Sequence, residues 1–181
     1  MSKRKIAIFV IAIICVTAIG IGSTFALLTS LSGSVKNTFT VGKVNIALSE
    51  TTGSSYQLIP GTTVSKDPRV TVLKDSEECW LFVKIEATTG ADGYISYSAA
   101  DGWAPLSGQN GIYYRKAPKA TDNTAYSVLC DDCFTVKDTV SKEQMSALSE
   151  PLTLTFTAYA IQAHGIENAS EAWSELQSSI R

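Results

Sequence analysis

The chain has 181 residues, 15 Lys and Arg against 17 Asp and Glu, a formal net charge of −2 and one histidine. That length holds about one ordinary domain and enough apolar material for a hydrophobic core. A mildly acidic body with scattered lysines argues against nucleic acid as a partner, and no proline-rich linker, long charge block, low-complexity tract or internal repeat divides it.

The first segment, 1–26, reads as a signal peptide. Lys3, Arg4 and Lys5 precede an uncharged apolar run over 6–21 and a small-residue exit, Gly22-Ser23-Thr24-Phe25-Ala26. These are the three parts of a secretory leader. The cationic end stays on the cytoplasmic side while the apolar core enters the bilayer as a helix. Thr24 and Ala26 place small residues where a signal peptidase must fit, which puts the cut between Ala26 and Leu27. Retention as an anchor is the alternative: no charge appears before Lys36, so 6–28 has about the length of one membrane span. Gly20, Gly22, Ser23 and Thr24 weaken the second half of such a helix. Both readings put the remainder outside the cytoplasm, and the membrane is met only through this segment. Cleavage takes the net charge from −2 to −5. Cys15 follows Ile14 inside the apolar run and lacks the small preceding residue of a lipidation site.

The next segment, 27–36, is a candidate donor strand. Leu27, Leu31 and Val35 fall on one face with Thr29 and Gly33 between them, and Ser30, Ser32 and Ser34 fall on the other. Three aliphatic side chains set into a groove gain about 5–8 kcal/mol before ordering costs, and pairing with an open sheet edge adds register. A flexible mature terminus, or a strand paired within its own subunit, remains open at this point.

The domain 37–181 is rich in Thr, Ser, Val, Tyr and Gly, and period-two alternation recurs along it. Phe39 and Val41 share a face. Val44, Ile46 and Leu48 share a face after a phase change at Gly42-Lys43, which suggests a β-bulge. A short β-branched run over 69–73 follows Pro68. The stretch 80–87 reads as a central strand with Leu81, Val83, Ile85 and Ala87 facing one way and Trp80 and Phe82 the other. Short strands over 94–97, 103–106 and 112–115 are separated by the turn signals Asp92-Gly93, Asp101-Gly102 and Asn110-Gly111. Phe134, Val136 and Val140 alternate with polar residues, as do Leu152, Leu154 and Phe156 in a strand that runs on to Ala163. Two helices interrupt this. Ser141 and Gln144 have capping-box spacing ahead of Met145 and Leu148, and Asn168 and Glu171 have it ahead of Ala172, Trp173, Leu176 and Ile180. The pattern predicts an all-β fold, a β-sandwich with one or two short helices behind an N-terminal signal helix. Jelly-roll and immunoglobulin-like topologies are both open.

Cys130-Asp131-Asp132-Cys133 is the sharpest local motif. In an exported chain a disulfide is the first reading, closed within the motif or between Cys79 and either member; free thiols and an intermolecular bridge are the alternatives. Two adjacent aspartates oppose thiolate formation, which argues against a redox role. Cys79, Cys130, Cys133 and His164 have the right number for a zinc site, with their convergence unknown. Asp131, Asp132 and Asp138 lack the spacing of a calcium loop and read as solvated turn carboxylates. Trp80, Trp103, Tyr113, Tyr114 and Trp173 read as packing residues rather than a ligand groove. Asn168-Ala169-Ser170 matches a glycosylation pattern that helix capping explains better. No Ser/His/Asp set, phosphate loop or distinctive carboxylate pair is present, so no catalytic residue, cofactor or metal is assigned and the chain is not read as an enzyme.

The leader, its small-residue exit and Asn37-Thr38-Phe39-Thr40-Val41-Gly42-Lys43-Val44-Asn45-Ile46 resemble the TasA/camelysin family of Gram-positive bacteria. So do Cys79-Trp80-Leu81-Phe82-Val83-Lys84-Ile85-Glu86, Asp138-Thr139-Val140-Ser141-Lys142 and Thr155-Phe156-Thr157-Ala158-Tyr159-Ala160-Ile161-Gln162, so the resemblance spans nearly the whole chain. It implies a jelly-roll β-sandwich, export through a SipW-type signal peptidase, and a secreted structural role in the extracellular biofilm matrix or at the cell surface. In that role subunits assemble into a homo-oligomeric fibre by donor-strand exchange, with other matrix proteins as further partners. The family often carries an aromatic and an acidic residue just after the cleavage site, and the segment from Leu27 departs from that. A monomeric surface or envelope binding module of the same fold is the alternative. Camelysin relatives also suggest a metalloendopeptidase, but the His-Glu-x-x-His arrangement is absent and His164 is the one histidine.

Overall fold

The computed structural model describes residues 30–31, 37–53, 56–148 and 151–180. The leader, the Ala26–Leu27 cleavage position and Val35 lie outside the described residues. The described chain is mostly β-sheet with a few short helices, an arrangement compatible with an all-β sandwich. In order the elements are β1 (Ser30–Leu31), β2 (Asn37–Val41), β3 (Ile46–Ser49), β4 (Tyr56–Gln57), β5 (Thr63–Ser65), β6 (Arg69–Val72) and β7 (Cys79–Ala87). Then come β8 (Ile95–Ser96), β9 (Ala104–Pro105), β10 (Ile112–Ala117), β11 (Thr124–Ser127), β12 (Cys133–Val136), α1 (Lys142–Ser146), β13 (Leu154–Gln162) and α2 (Ala169–Ile180).

A five-stranded sheet has the order β2-β13-β7-β10-β9, two three-stranded sheets have the orders β11-β6-β3 and β5-β12-β8, and β1 pairs with β4 alone. The two nine-residue strands β7 and β13 pair antiparallel along their whole length, Leu154 opposite Ala87 and Gln162 opposite Cys79. At one edge β2 runs parallel to β13, from Asn37 opposite Thr157 to Val41 opposite Ile161. The period-two pattern explains the layers. Leu81, Val83 and Ile85 of β7, with Leu154, Phe156, Ala158 and Ala160 of β13, point to one side. There they form one core with Ile46 and Leu48 of β3, Val70 and Val72 of β6, and Phe134 and Val136 of β12. Each fully buried aliphatic or aromatic side chain stabilises this layer by about 1.5–3 kcal/mol.

The opposite face of the five-stranded sheet carries Phe82, Ile112 and Ile161, and α2 covers it with Ala169, Ala172, Trp173 and Leu176. The Trp173 ring sits 5.0 Å from Phe82 and meets Tyr159 edge-on at 5.3 Å. Asn168 Oδ1 accepts the Glu171 N–H at 3.0 Å, which caps α2 as its spacing predicts, while Glu171 reaches back to the Glu167 N–H at 3.1 Å. The capping box of α1 is complete: Ser141 Oγ accepts the Gln144 N–H at 3.2 Å, and Gln144 Oε1 accepts the Ser141 N–H at 2.8 Å. Among the described residues no helix is long and apolar enough to cross a membrane.

Gly42-Lys43 is not a β-bulge. Gly42 has φ +81° and ends β2, after which the chain leaves the five-stranded sheet and enters β3 in a different one. The phase slip marks a crossing between layers. A Cβ at Gly42 would lie 2.8 Å from Gln162 Oε1, the atom that accepts the Lys43 N–H at 3.2 Å, so both the φ and the close approach call for glycine. The strands expected over 94–97 and 103–106 contract to β8 and β9, and that expected over 112–115 extends to Ala117. Asp92-Gly93 lies in a 3₁₀ turn, Ala91–Gly93.

Candidate functional site

Of the donor-strand candidates, Leu27 and Val35 lie outside the described residues and Leu31 lies in β1. Ser30 pairs with Gln57 and Leu31 with Tyr56, antiparallel. This strand pairs with β4 of its own chain. Its partner β4 has no other strand neighbour among the described residues.

What holds β4 from behind is a buried polar cluster. The Lys66 side chain is 0 % exposed and that of Glu50 4 %, and Lys66 Nζ is ion-paired with Glu50 Oε1. The ammonium lies 5.1 Å from the centre of the Tyr56 ring and 5.6 Å from that of Phe156, within reach of the negative ring faces. Tyr56 meets Phe134 edge-on at 5.9 Å. Its hydroxyl stands 2.9 Å from Glu50 Oε1 and also bonds to Gly53 O. Burial pushes the Tyr56 phenol up to about 12; the Thr52 hydrogen bond opposes the rise and Glu50 adds to it. A buried pair of this kind is costly to break: removing one partner destabilises by about 3–5 kcal/mol.

Asp67 closes the loop that precedes β4. Its carboxylate accepts the Thr51 N–H at 2.9 Å, the Thr51 hydroxyl at 2.6 Å, the Thr52 N–H at 3.0 Å and the Thr52 hydroxyl at 2.9 Å. Burial raises the Asp67 pKa, but these four bonds outweigh it and hold the group well below the usual carboxylate range.

Cys79, Cys130 and Cys133 are free thiols in this structure. Cys79 is buried in β7, opposite Ala117 and Gln162, and burial pushes its thiol up to about 12, with Glu78 adding to the shift. Cys130 and Cys133 flank a tight turn into β12, closed by the Cys133 N–H donating to Cys130 O. Asp131 and Asp132 both take the left-handed conformation there, φ +53° and +50°. Arg69 bonds to Asp132 Oδ2 at 2.6 Å and the Lys66 N–H bonds to Asp132 O at 2.7 Å, which holds an otherwise unfavourable pair of φ values. Asp131 raises the Cys130 thiol, as its position beside the sulfur predicts. The structure does not gather the suggested zinc set: His164 is exposed in the turn after β13, and no group of three metal-ligating side chains occurs among the described residues. Asp138 follows the end of β12, whereas Asp131 and Asp132 precede that strand.

The aromatics largely pack as expected, Trp80 on Tyr114 at 6.0 Å and Trp103 donating to Ser127 O at 2.8 Å. A groove of about 370 Å³ runs between α2 and the outer sheet face, lined by Lys84, Gln109, Ile112, Tyr159, Trp173 and Gln177 among others.

Lys66 and Glu50 were not anticipated from the sequence. The usable signal was parity: Val64 and Lys66 share one side of an alternating run whose other side is Thr63 and Ser65. Comparison with protein-family models, curated proteins and solved structures finds no match.

Proposed function

We propose that this chain is a secreted structural protein of the TasA/camelysin type. On this reading it is a jelly-roll-like β-sandwich that is cut between Ala26 and Leu27 and assembles into extracellular matrix fibres by donor-strand exchange. The observation that carries the reading is the pairing of β1 with β4. A strand segment placed just after the leader pairs with β4 through two residue pairs among the described residues. Net hydrogen-bond contributions are about 0.5–1.5 kcal/mol each, so two paired residues leave the acceptor at small cost. The same segment of a neighbouring subunit restores the same ladder. A segment tethered to a membrane helix cannot reach a neighbour freely, so cleavage is the step that licenses exchange.

A second reading is a monomeric surface or envelope module of the same fold, in which β1 stays paired with β4 of its own subunit. Electron microscopy of the cleaved protein at neutral pH separates the two. Filaments support assembly, and a stable monomer across protein concentration and pH supports the module.

A further inference from the structure

We propose that Lys66 and Glu50 are joined by an intramolecular isopeptide bond formed by the folded protein itself. Three observations carry this, and none depends on the fibre reading. First, both side chains are withdrawn from solvent, 0 % and 4 % exposed, and Nζ contacts the carboxylate directly. Two charges held in that setting lose their hydration, and a neutral link in their place removes the penalty. Second, the reacting groups are fixed by their surroundings, Nζ between the Tyr56 and Phe156 rings and Glu50 at the end of β3. Fixed contact replaces a bimolecular encounter and supplies a large effective concentration. Third, Glu50 Oε1, the oxygen on which charge collects during attack, lies 2.9 Å from the Tyr56 hydroxyl and 3.3 Å from the Thr52 hydroxyl. Each hydroxyl has a competing acceptor, Gly53 O and Asp67 Oδ1, and growing charge on Oε1 draws the Tyr56 proton toward it.

The step balances without any co-reactant. A proton passes from Nζ to the carboxylate, leaving an amine and a carboxylic acid. The nitrogen lone pair attacks Cδ of Glu50 and the C–N bond forms, with charge on Oε1. A second nitrogen proton moves to Oε2, the Cδ–Oε2 bond breaks, and Oε2 leaves as water. One ammonium and one carboxylate become one secondary amide and one water. The bond closes residues 50–66 into a covalent ring that contains β4 and ties the end of β3 to the end of β5, strands of two different sheets.

The experiment is mass spectrometry of the purified protein, denatured and reduced, with tryptic mapping. The expected result is a chain lighter than its sequence by one water, no tryptic cleavage after Lys66, and a peptide joined through residues 50 and 66. Lys66→Met, which keeps a long apolar stem in the site, is expected to restore the full sequence mass. A wild-type mass equal to the sequence, or normal cleavage after Lys66 in the denatured chain, overturns the proposal and leaves a buried ion pair. A Lys66→Met protein that is still lighter by one water also overturns it. The wild-type map decides the matter even where the variant does not fold.

Discussion

Deleting residues 27–35 tests the assembly reading most directly. The described part of that segment, Ser30–Leu31, makes a ladder with Tyr56 and Gln57 and joins neither the five-stranded nor the three-stranded sheets. Two antiparallel residue pairs carry about two backbone hydrogen bonds, and at about 0.5–1.5 kcal/mol net apiece their loss costs about 1–3 kcal/mol. A domain of this size is stable by about 5–15 kcal/mol, and its main core as described runs from Val44 to Ala160. The truncated protein is therefore expected to fold, with a urea midpoint lowered by about 1 M for a slope of about 1–3 kcal/mol/M. It is expected to form no filaments at concentrations where the cleaved full-length chain does. Paired urea unfolding and negative-stain microscopy read both halves. Filaments from the truncated protein would refute donor exchange by this segment, and an unfolded truncation would refute the claim that the core stands without it.

Leu176→Ala, at a fully buried position where α2 meets the outer sheet face, is expected to destabilise the domain by about 2–5 kcal/mol; a wild-type unfolding midpoint would mean that α2 does not dock there. Cys79, raised to about 12 by burial, is expected to resist alkylation in the folded protein at pH 8 and to react once denaturant is added. Native labelling at Cys79 comparable to a free model thiol would contradict its burial, and the same experiment counts the thiols at Cys130 and Cys133. Asp67 is held ionised below its unfolded value of about 3.9, so its contribution is present above that pH and is lost as pH falls through the folded value. Asp67→Asn is expected to lower stability at neutral pH and to flatten the acid limb below about pH 4, followed by circular dichroism. An unchanged acid limb would show that the four hydrogen bonds to Asp67 do not bias folding.

The parts of the fold that were legible in advance are those where a local rule repeats. Nine residues of β7 and nine of β13 give enough alternation to fix both faces, and the inward set of Leu81, Val83 and Ile85 lies in the core as the period requires. The capping residues Ser141 and Asn168 act over three positions and place both helix starts. Two-residue strands such as β1, β4, β8 and β9 carry no period at all; their partners decide them. Gly42 shows a related limit, since one phase slip is produced both by a bulge and by a crossing to another sheet, and only the placing of β2 and β3 in different sheets separates the two. The buried pair was hidden by residue type. Lysine and glutamate are rarely enclosed unless paired, and the pairing of Lys66 with Glu50 spans sixteen positions with no local pattern to announce it.

The two sides of β4 are held very differently, and that asymmetry bears on assembly. Among the described residues, only β1 stands in front of it. Behind it, the Tyr56 ring packs on Phe134, the Tyr56 hydroxyl bonds to Glu50 and Gly53, and the same ring stands over Lys66. An acceptor that collapsed whenever its strand left would have to be rebuilt by each incoming subunit, with the ordering cost that implies. An acceptor fixed from behind keeps its shape while empty. On the proposed fibre reading, the polar cluster would make the departure of β1 a local event. The rigidity of the proposed joint would then lie with Glu50, Tyr56, Lys66 and Asp67 rather than with the departing strand.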